Sequence, residues 1–269
     1  MSLQLLGIDF TSAPTRRKPI TVARGTLAGS RVALQRVDAL NDFAGFEALL
    51  REPGPWLGAF DFPFGLPREL VEALDWPREW PALMQHYAAL SRADIRQQFA
   101  AFCAARPAGG KFAHRACDRP AGSSPSMKWV NPPVAYMLHA GVPLLLAAGV
   151  HLPALHLGDT TRTALEAYPG LLARELIGGR SYKSDDKAKQ TPERLIARKD
   201  LLEALEQGRS RLGIRVAMSH AQRDALAADA GGDRLDALLC LVQAAWASRQ
   251  PNHGLPKEVD AVEGWIVSA

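Results

Sequence analysis

Residues 3–62 read LQLLGIDFTSAPTRRKPITVARGTLAGSRVALQRVDALNDFAGFEALLREPGPWLGAFDF. Residues 3–10 are an apolar run ending in Asp9-Phe10, followed by a polar, basic turn through Lys18. Residues 20–27 and 32–37 are two further runs rich in β-formers, joined by Ala28-Gly29-Ser30 as a hairpin-like connection. Asn41 is placed to cap a helix to residue 50, with Phe43, Phe46, Leu49 and Leu50 on one face. Pro53-Gly54-Pro55 stops it. Residues 56–62 are almost wholly apolar, the pattern of a central strand covered on both faces. Three antiparallel strands, a helix and a parallel strand follow from this stretch alone.

Working outward, residues 67–106 carry a helical pattern rich in Arg and Glu, and residues 107–127 read as an irregular Gly/Pro/Ser-rich surface loop. Residues 132–149 are apolar, but prolines and histidines interrupt the wider stretch. A buried helix is expected there, not a membrane span, which needs about 20 clean apolar residues. Residues 163–168 form a short strand stopped by Pro169-Gly170, with a helix to 177 and a Lys-rich loop over 178–191. Helices are expected over 192–207, 219–229 and 233–248, and an edge strand over 264–267. The sum is one α/β domain over 1–269 with a ribonuclease H-like mixed sheet: a three-strand antiparallel meander plus parallel strands, flanked by helices, with a helical and loop insert over 67–160.

The chain has 269 residues, 47% of them hydrophobic and 22% charged, which is ordinary for a globular protein. The net charge of +4 permits a polyanionic partner without requiring one. Cys103, Cys117 and Cys240 are odd in number and widely spaced, against both a disulfide framework and a structural zinc site. The start, Met1-Ser2-Leu3-Gln4-Leu5-Leu6, has neither a basic segment nor a small-residue cleavage site. A cytoplasmic protein without a membrane partner is expected. There is no Gly-rich phosphate cradle, no HExxH and no GxSxG.

The chemistry lies in carboxylates. Asp9 ends the first apolar strand, Asp61 ends the central one between Phe60 and Phe62, and Glu166 ends the strand at 163–168. A carboxylate among apolar residues is costly unless something neutralises it, and α/β sheets bind ligands at the carboxyl ends of their strands. Asp233 and Asp236 are three residues apart at the start of an apolar helix. A helix cap or first-turn acid explains Asp233, and explains Asp236 less well. If these groups converge, their repulsion calls for a cation. Hard oxygen donors suit Mg²⁺ or Mn²⁺, which support phosphodiester cleavage.

Gly7-Ile8-Asp9, then Phe60-Asp61-Phe62-Pro63-Phe64-Gly65-Leu66-Pro67, Glu166-Ala167-Tyr168-Pro169 and Asp233-Arg234-Leu235-Asp236-Ala237 resemble the successive motifs of domain-of-unknown-function family 429. They span residue 7 to about 246. The family is regarded as ribonuclease H-like and as a group of predicted nucleases. The Asp233/Asp236 pair is also similar to the acidic pair on the last core helix of RuvC-type resolvases. The resemblance implies Asp9, Asp61 and Asp236 as metal ligands, with Asp233 a fourth ligand or an outer group. Glu166 completes or orients the catalytic set, and nucleic acid is the substrate.

Basic residues are candidates for holding substrate phosphate: Lys183 and Arg194 after the Glu166 strand, and Arg115 and Lys128 in the Gly/Pro-rich segment. Each can equally lie on a solvated face. Trp129 can stack on a base or pack. Arg16-Arg17-Lys18 can approach the Asp9 site or form a polar turn. Two rival functions stand beside a metal-dependent nuclease: a non-catalytic module binding nucleic acid or a nucleotide, and Mg²⁺-dependent phosphotransfer or hydrolysis on a small phosphorylated metabolite.

Overall fold

The computed structural model describes residues 3–269; Met1 and Ser2, where the reading of the N-terminus starts, lie outside them. Strands β1 (Gln4–Asp9), β2 (Ile20–Ala28) and β3 (Arg31–Leu40) form an antiparallel meander. Helix α1 (Phe43–Leu50) leads into β4 (Trp56–Asp61), which returns parallel to β1. The next segment supplies α2 (Arg68–Ala73), α3 (Trp80–Ala89), α4 (Arg92–Ala104), the single turn α5 (Asp118–Ala121), α6 (Val134–Ala147) and β5 (Val150–His151). Strand β6 (Asp159–Glu166) pairs parallel to β4, and α7 (Pro169–Ile177), α8 (Pro192–Gln207), β7 (Arg215–Ala217), α9 (His220–Ala228) and α10 (Asp233–Ala247) complete the set. The seven strands make one mixed sheet in the order β5-β6-β4-β1-β2-β3-β7, flanked by helices.

Period-two alternation sorts the strand residues between two cores. Leu6, Ile8, Phe60 and Ala164 face one side, under α1 and the α2–α6 segment. Leu5, Leu57, Ala59 and Leu165 face the other, under α7, α8 and α10. Sheet and helices thus form three layers, with α10 lying over β1, β2 and β4.

Several boundaries differ from the sequence reading. The cap of α1 is Asp42, not Asn41: its carboxylate accepts the Gly45 N–H at 2.8 Å. The segment 67–160 is not purely helix and loop, because β5 and the start of β6 lie within it. Three-residue β7 escapes a periodicity test yet extends β3 in parallel. Residues 264–267 make a single bridge to the end of β6, with the Val267 N–H donating to the Glu166 carbonyl at 2.8 Å. Residues 107–127 are less exposed than expected, since Ala113, Arg115, Cys117, Asp118, Ala121, Ser126 and Met127 are buried. Among the described residues no helix is long and apolar enough to cross a membrane.

Gly7 sets how closely α10 sits on the sheet. A Cβ there would lie 2.1 Å from the Ala237 carbonyl oxygen and 2.1 Å from the Leu241 nitrogen, both backbone atoms of α10. Neither can step aside without moving the helix. Gly7→Ala is therefore expected to destabilise the fold by about 1–3 kcal/mol or more, as overpacking against backbone does. Urea denaturation checks this; an unchanged midpoint would show that α10 has room to shift.

Candidate metal centre

Asp9 and Asp61 are the last residues of two neighbouring parallel strands and are direct register partners. Cross-strand partners project to the same face, here the face covered by α10. Asp236 sits in the first turn of α10, where side chains lean back toward the helix N-terminus and so over the strand ends. One oxygen from each of the three carboxylates lies within 4.8 Å of the others. Asp236 is fully buried, while Asp9 and Asp61 are partly exposed.

That proximity is electrostatically expensive. Two unit charges about 4 Å apart repel by about 4 kcal/mol at an effective dielectric of 20. Burial, then the charges of Asp236, Asp233 and Asp61, raise the Asp9 carboxyl well above the usual range. Burial and the Asp236 charge push Asp61 up to about 7. The chain supplies some counter-charge of its own. The Lys183 ammonium donates to Asp236 Oδ2, and the Tyr182 hydroxyl donates to Asp236 Oδ1 at 2.5 Å. Burial alone would lower the Lys183 pKa, but the Asp236, Tyr182 and Asp9 charges with the hydrogen bond to Asp236 together more than reverse it, so the ammonium stays protonated. Lys18 reaches across from the β1–β2 turn to Asp233 at 2.7 Å and Asp185 at 3.0 Å.

The donor set fits a hard divalent ion. It is all carboxylate, and oxygens on opposite sides of an octahedral Mg²⁺ lie about 4 Å apart, given bonds of about 2.0–2.1 Å. One oxygen each from Asp9, Asp61 and Asp236 lies within 4.8 Å of the others, near enough for the three carboxylates to close on one ion. Asp233, expected as a metal ligand, is not among the three acids that lie within 4.8 Å of one another, and its carboxylate pairs with Lys18.

Glu166 is also outside that group, for a reason of parity. Its register partner is Phe60, not Asp61, so it projects to the opposite face of the sheet. There it meets Arg115. The guanidinium donates from Nη1 and Nη2 to the two Glu166 oxygens at 2.7 and 2.6 Å, from Nε and Nη2 to Asp118 at 3.1 and 2.9 Å, and from Nη1 to the Glu263 carbonyl at 3.1 Å. All five donors of the arginine are engaged. Glu166 Oε2 also accepts the Phe64 N–H at 2.9 Å, which ties β6 to the turn after β4. Glu166 thus accepts three hydrogen bonds in a structural network; burial raises its carboxyl above the usual range while Arg115 opposes this, and it lines the same cavity as Asp9 and Asp61 from outside the three-acid group.

The other expected phosphate holders need correction too. Arg115 has no free donor for substrate. Arg194 donates to the Lys183 carbonyl at 2.7 Å and so supports the backbone of that lysine. Lys128 turns its ammonium to the Asn131 carbonyl at 2.5 Å and does not line the cavity before the acids. Trp129 packs edge-on against Phe112, their rings 5.6 Å apart. Lys183 and Lys18 do line the cavity, as does the fully paired Arg115. Tyr182 and Asp118 are the contributors that sequence reasoning missed. Tyr182 precedes a noted lysine, and Asp118 stands three residues after Arg115, where an ion pair is a local possibility. No family model matches the chain, and no curated protein and no solved structure matches it.

Proposed function

We propose that the chain is a divalent-metal-dependent phosphodiesterase of ribonuclease H-like architecture that hydrolyses nucleic acid. One observation carries the reading: three carboxylates from two strand ends and the last long helix converge to within 4.8 Å. The meander followed by a parallel β4, with α10 over both, is the arrangement that the family resemblance leads one to expect. Asp9, Asp61 and Asp236 hold Mg²⁺ or Mn²⁺. When bound, the ion supplies a water of lowered pKa and counter-charge for the phosphate oxygens.

The remaining work falls to side chains of this chain. Tyr182 and Lys183 fix the orientation of the Asp236 carboxylate. Lys183, half-exposed at the cavity wall, also offers a positive charge to a substrate phosphate. Lys18 shields Asp233 and Asp185, lessening the repulsion a polyanion would meet. Arg194 steadies the Lys183 backbone, and the Arg115–Glu166 pair acts as a fixed strut behind the site.

Mn²⁺-supported cleavage of a panel of DNA and RNA single strands, duplexes and branched forms tests the reading. Asp9→Asn is expected to lower any activity found by at least about 100-fold, the size of losing a group that stabilises the transition state. Retention of full activity in that variant would refute the assignment. A second reading, a binding module without catalysis, is favoured by Lys183 already neutralising Asp236. It predicts nucleic-acid binding that neither needs Mn²⁺ nor leads to cleavage.

A further inference from the structure

A cavity of about 490 Å³ opens before Asp9 and Asp61, and its lining combines charged and apolar stretches. At the ends of β1 and β4 stand Asp9 and Asp61, with Lys18 and Lys183 beside them. Toward β6, Val134 and Met137 from the first turn of α6, Tyr168 just after β6, and Ile266 form an apolar strip, beside the paired Arg115 and Glu166. Val134, Met137 and Tyr168 are all partly exposed; Met137 also packs on the core beneath it, and the Arg174 guanidinium stands 5.3 Å from the Tyr168 ring. The walls come from segments far apart in sequence, including the β1–β2 turn, the turn before α6 and the C-terminal bridge to β6.

Resting on the nuclease reading, we infer that this cavity receives a single nucleotide unit. Its phosphate faces the acids and lysines, and its base lies against Met137 and Tyr168. The substrate is accordingly a single-stranded segment or an extruded base, not a paired stretch. Size supports this, because about 490 Å³ lies within the ~300–1,000 Å³ of sites that enclose a small molecule. Chemistry supports it as well. Divalent-ion ligands and ammonium groups suit a phosphate, while a thioether and a phenol ring suit the π-face of a base without regard to its identity. A base reaches such a wall only when unpaired and unstacked.

The test uses saturation-transfer NMR of the intact chain with Mg²⁺ and two probes, AMP and ribose 5-phosphate. The adenine protons are expected to receive the strongest saturation, and AMP to bind at least about tenfold more tightly than ribose 5-phosphate. Met137→Asp should weaken AMP by about tenfold, leave ribose 5-phosphate within twofold, and keep the wild-type circular dichroism spectrum. Equal binding of the two probes by the wild type, absence of AMP binding, or an unaffected Met137→Asp would each overturn the inference. Metal binding by the acids is measured separately by Mn²⁺ titration. A chain that binds Mn²⁺ but not the base refutes this proposal alone, and a chain that binds no Mn²⁺ refutes the parent reading.

Discussion

Arg115→Met is expected to destabilise the folded chain by about 3–5 kcal/mol, the cost of leaving buried charge uncompensated. Arg115 and its partners Asp118 and Glu166 are all buried, so water cannot replace the lost donors. Methionine fills much of the space of the arginine stem, so the loss reflects charge and hydrogen bonding more than volume. Burial opposes the arginine's charge, yet the carboxylates of Glu166 and Asp118 hold its pKa well above the ordinary value. The damage should spread, because the same network anchors the Phe64 N–H and the Glu263 carbonyl. Urea denaturation gives the number. Adding Glu166→Gln to Arg115→Met should recover part of the loss, since residues in one network are not additive. If Arg115→Met lies within about 1 kcal/mol of wild type, the network is not the strut described here.

Asp61→Asn should have opposite effects with and without metal. The Asp61 carboxyl is pushed up to about 7 in the folded chain, against about 3.9 when unfolded. Between those values the folded state keeps a proton that the unfolded state has released. Stability therefore falls as pH rises from about 4 to about 7, and the penalty is complete above that window. Asparagine carries no such charge. In metal-free buffer at pH 8, Asp61→Asn is expected to be more stable than wild type by about 1–3 kcal/mol, in keeping with relief of like-charge repulsion and desolvation. Saturating Mn²⁺ should reverse the order. Binding at 100 times Kd adds about 2.7 kcal/mol to wild type and nothing to a variant that cannot bind. Thermal unfolding from pH 5 to 8, with and without Mn²⁺, shows whether the curves cross. Parallel curves in all conditions would argue against both the repulsion and the metal.

The parts of the fold that were legible in the sequence are those written in local patterns. The meander, the central strand and the helices over 192–207 and 233–248 follow from periodicity and from turn residues such as Gly29 and Pro53. Asp9, Asp61 and Asp236 could be selected because each is an acid where an apolar run demands none. Glu166 satisfies the same local test, and only the register between β4 and β6 separates it from Asp61. A one-residue difference in pairing sends a side chain to the other face, and no single strand encodes its partner's register. Arg115 fails to reveal itself for a related reason. In a Gly/Pro-rich segment a solvated arginine and a buried one look alike until the distant Glu166 arrives. Asp233 is three residues from Asp236 in sequence, and only the folded positions show that it lies outside the three-acid group and beside Lys18, 215 residues away.

The central claim, that Asp9, Asp61 and Asp236 form one cation site, is tested most directly by titrating the chain with Mn²⁺ and following the electron paramagnetic resonance of the free ion. Wild type should bind Mn²⁺ at a saturable site of the three acids. Asp9→Asn and Asp236→Asn should each weaken it by at least about 100-fold, exceeding the ~10–100-fold typical of losing an outer partner. Identical titrations for the three proteins would contradict a metal centre at these residues.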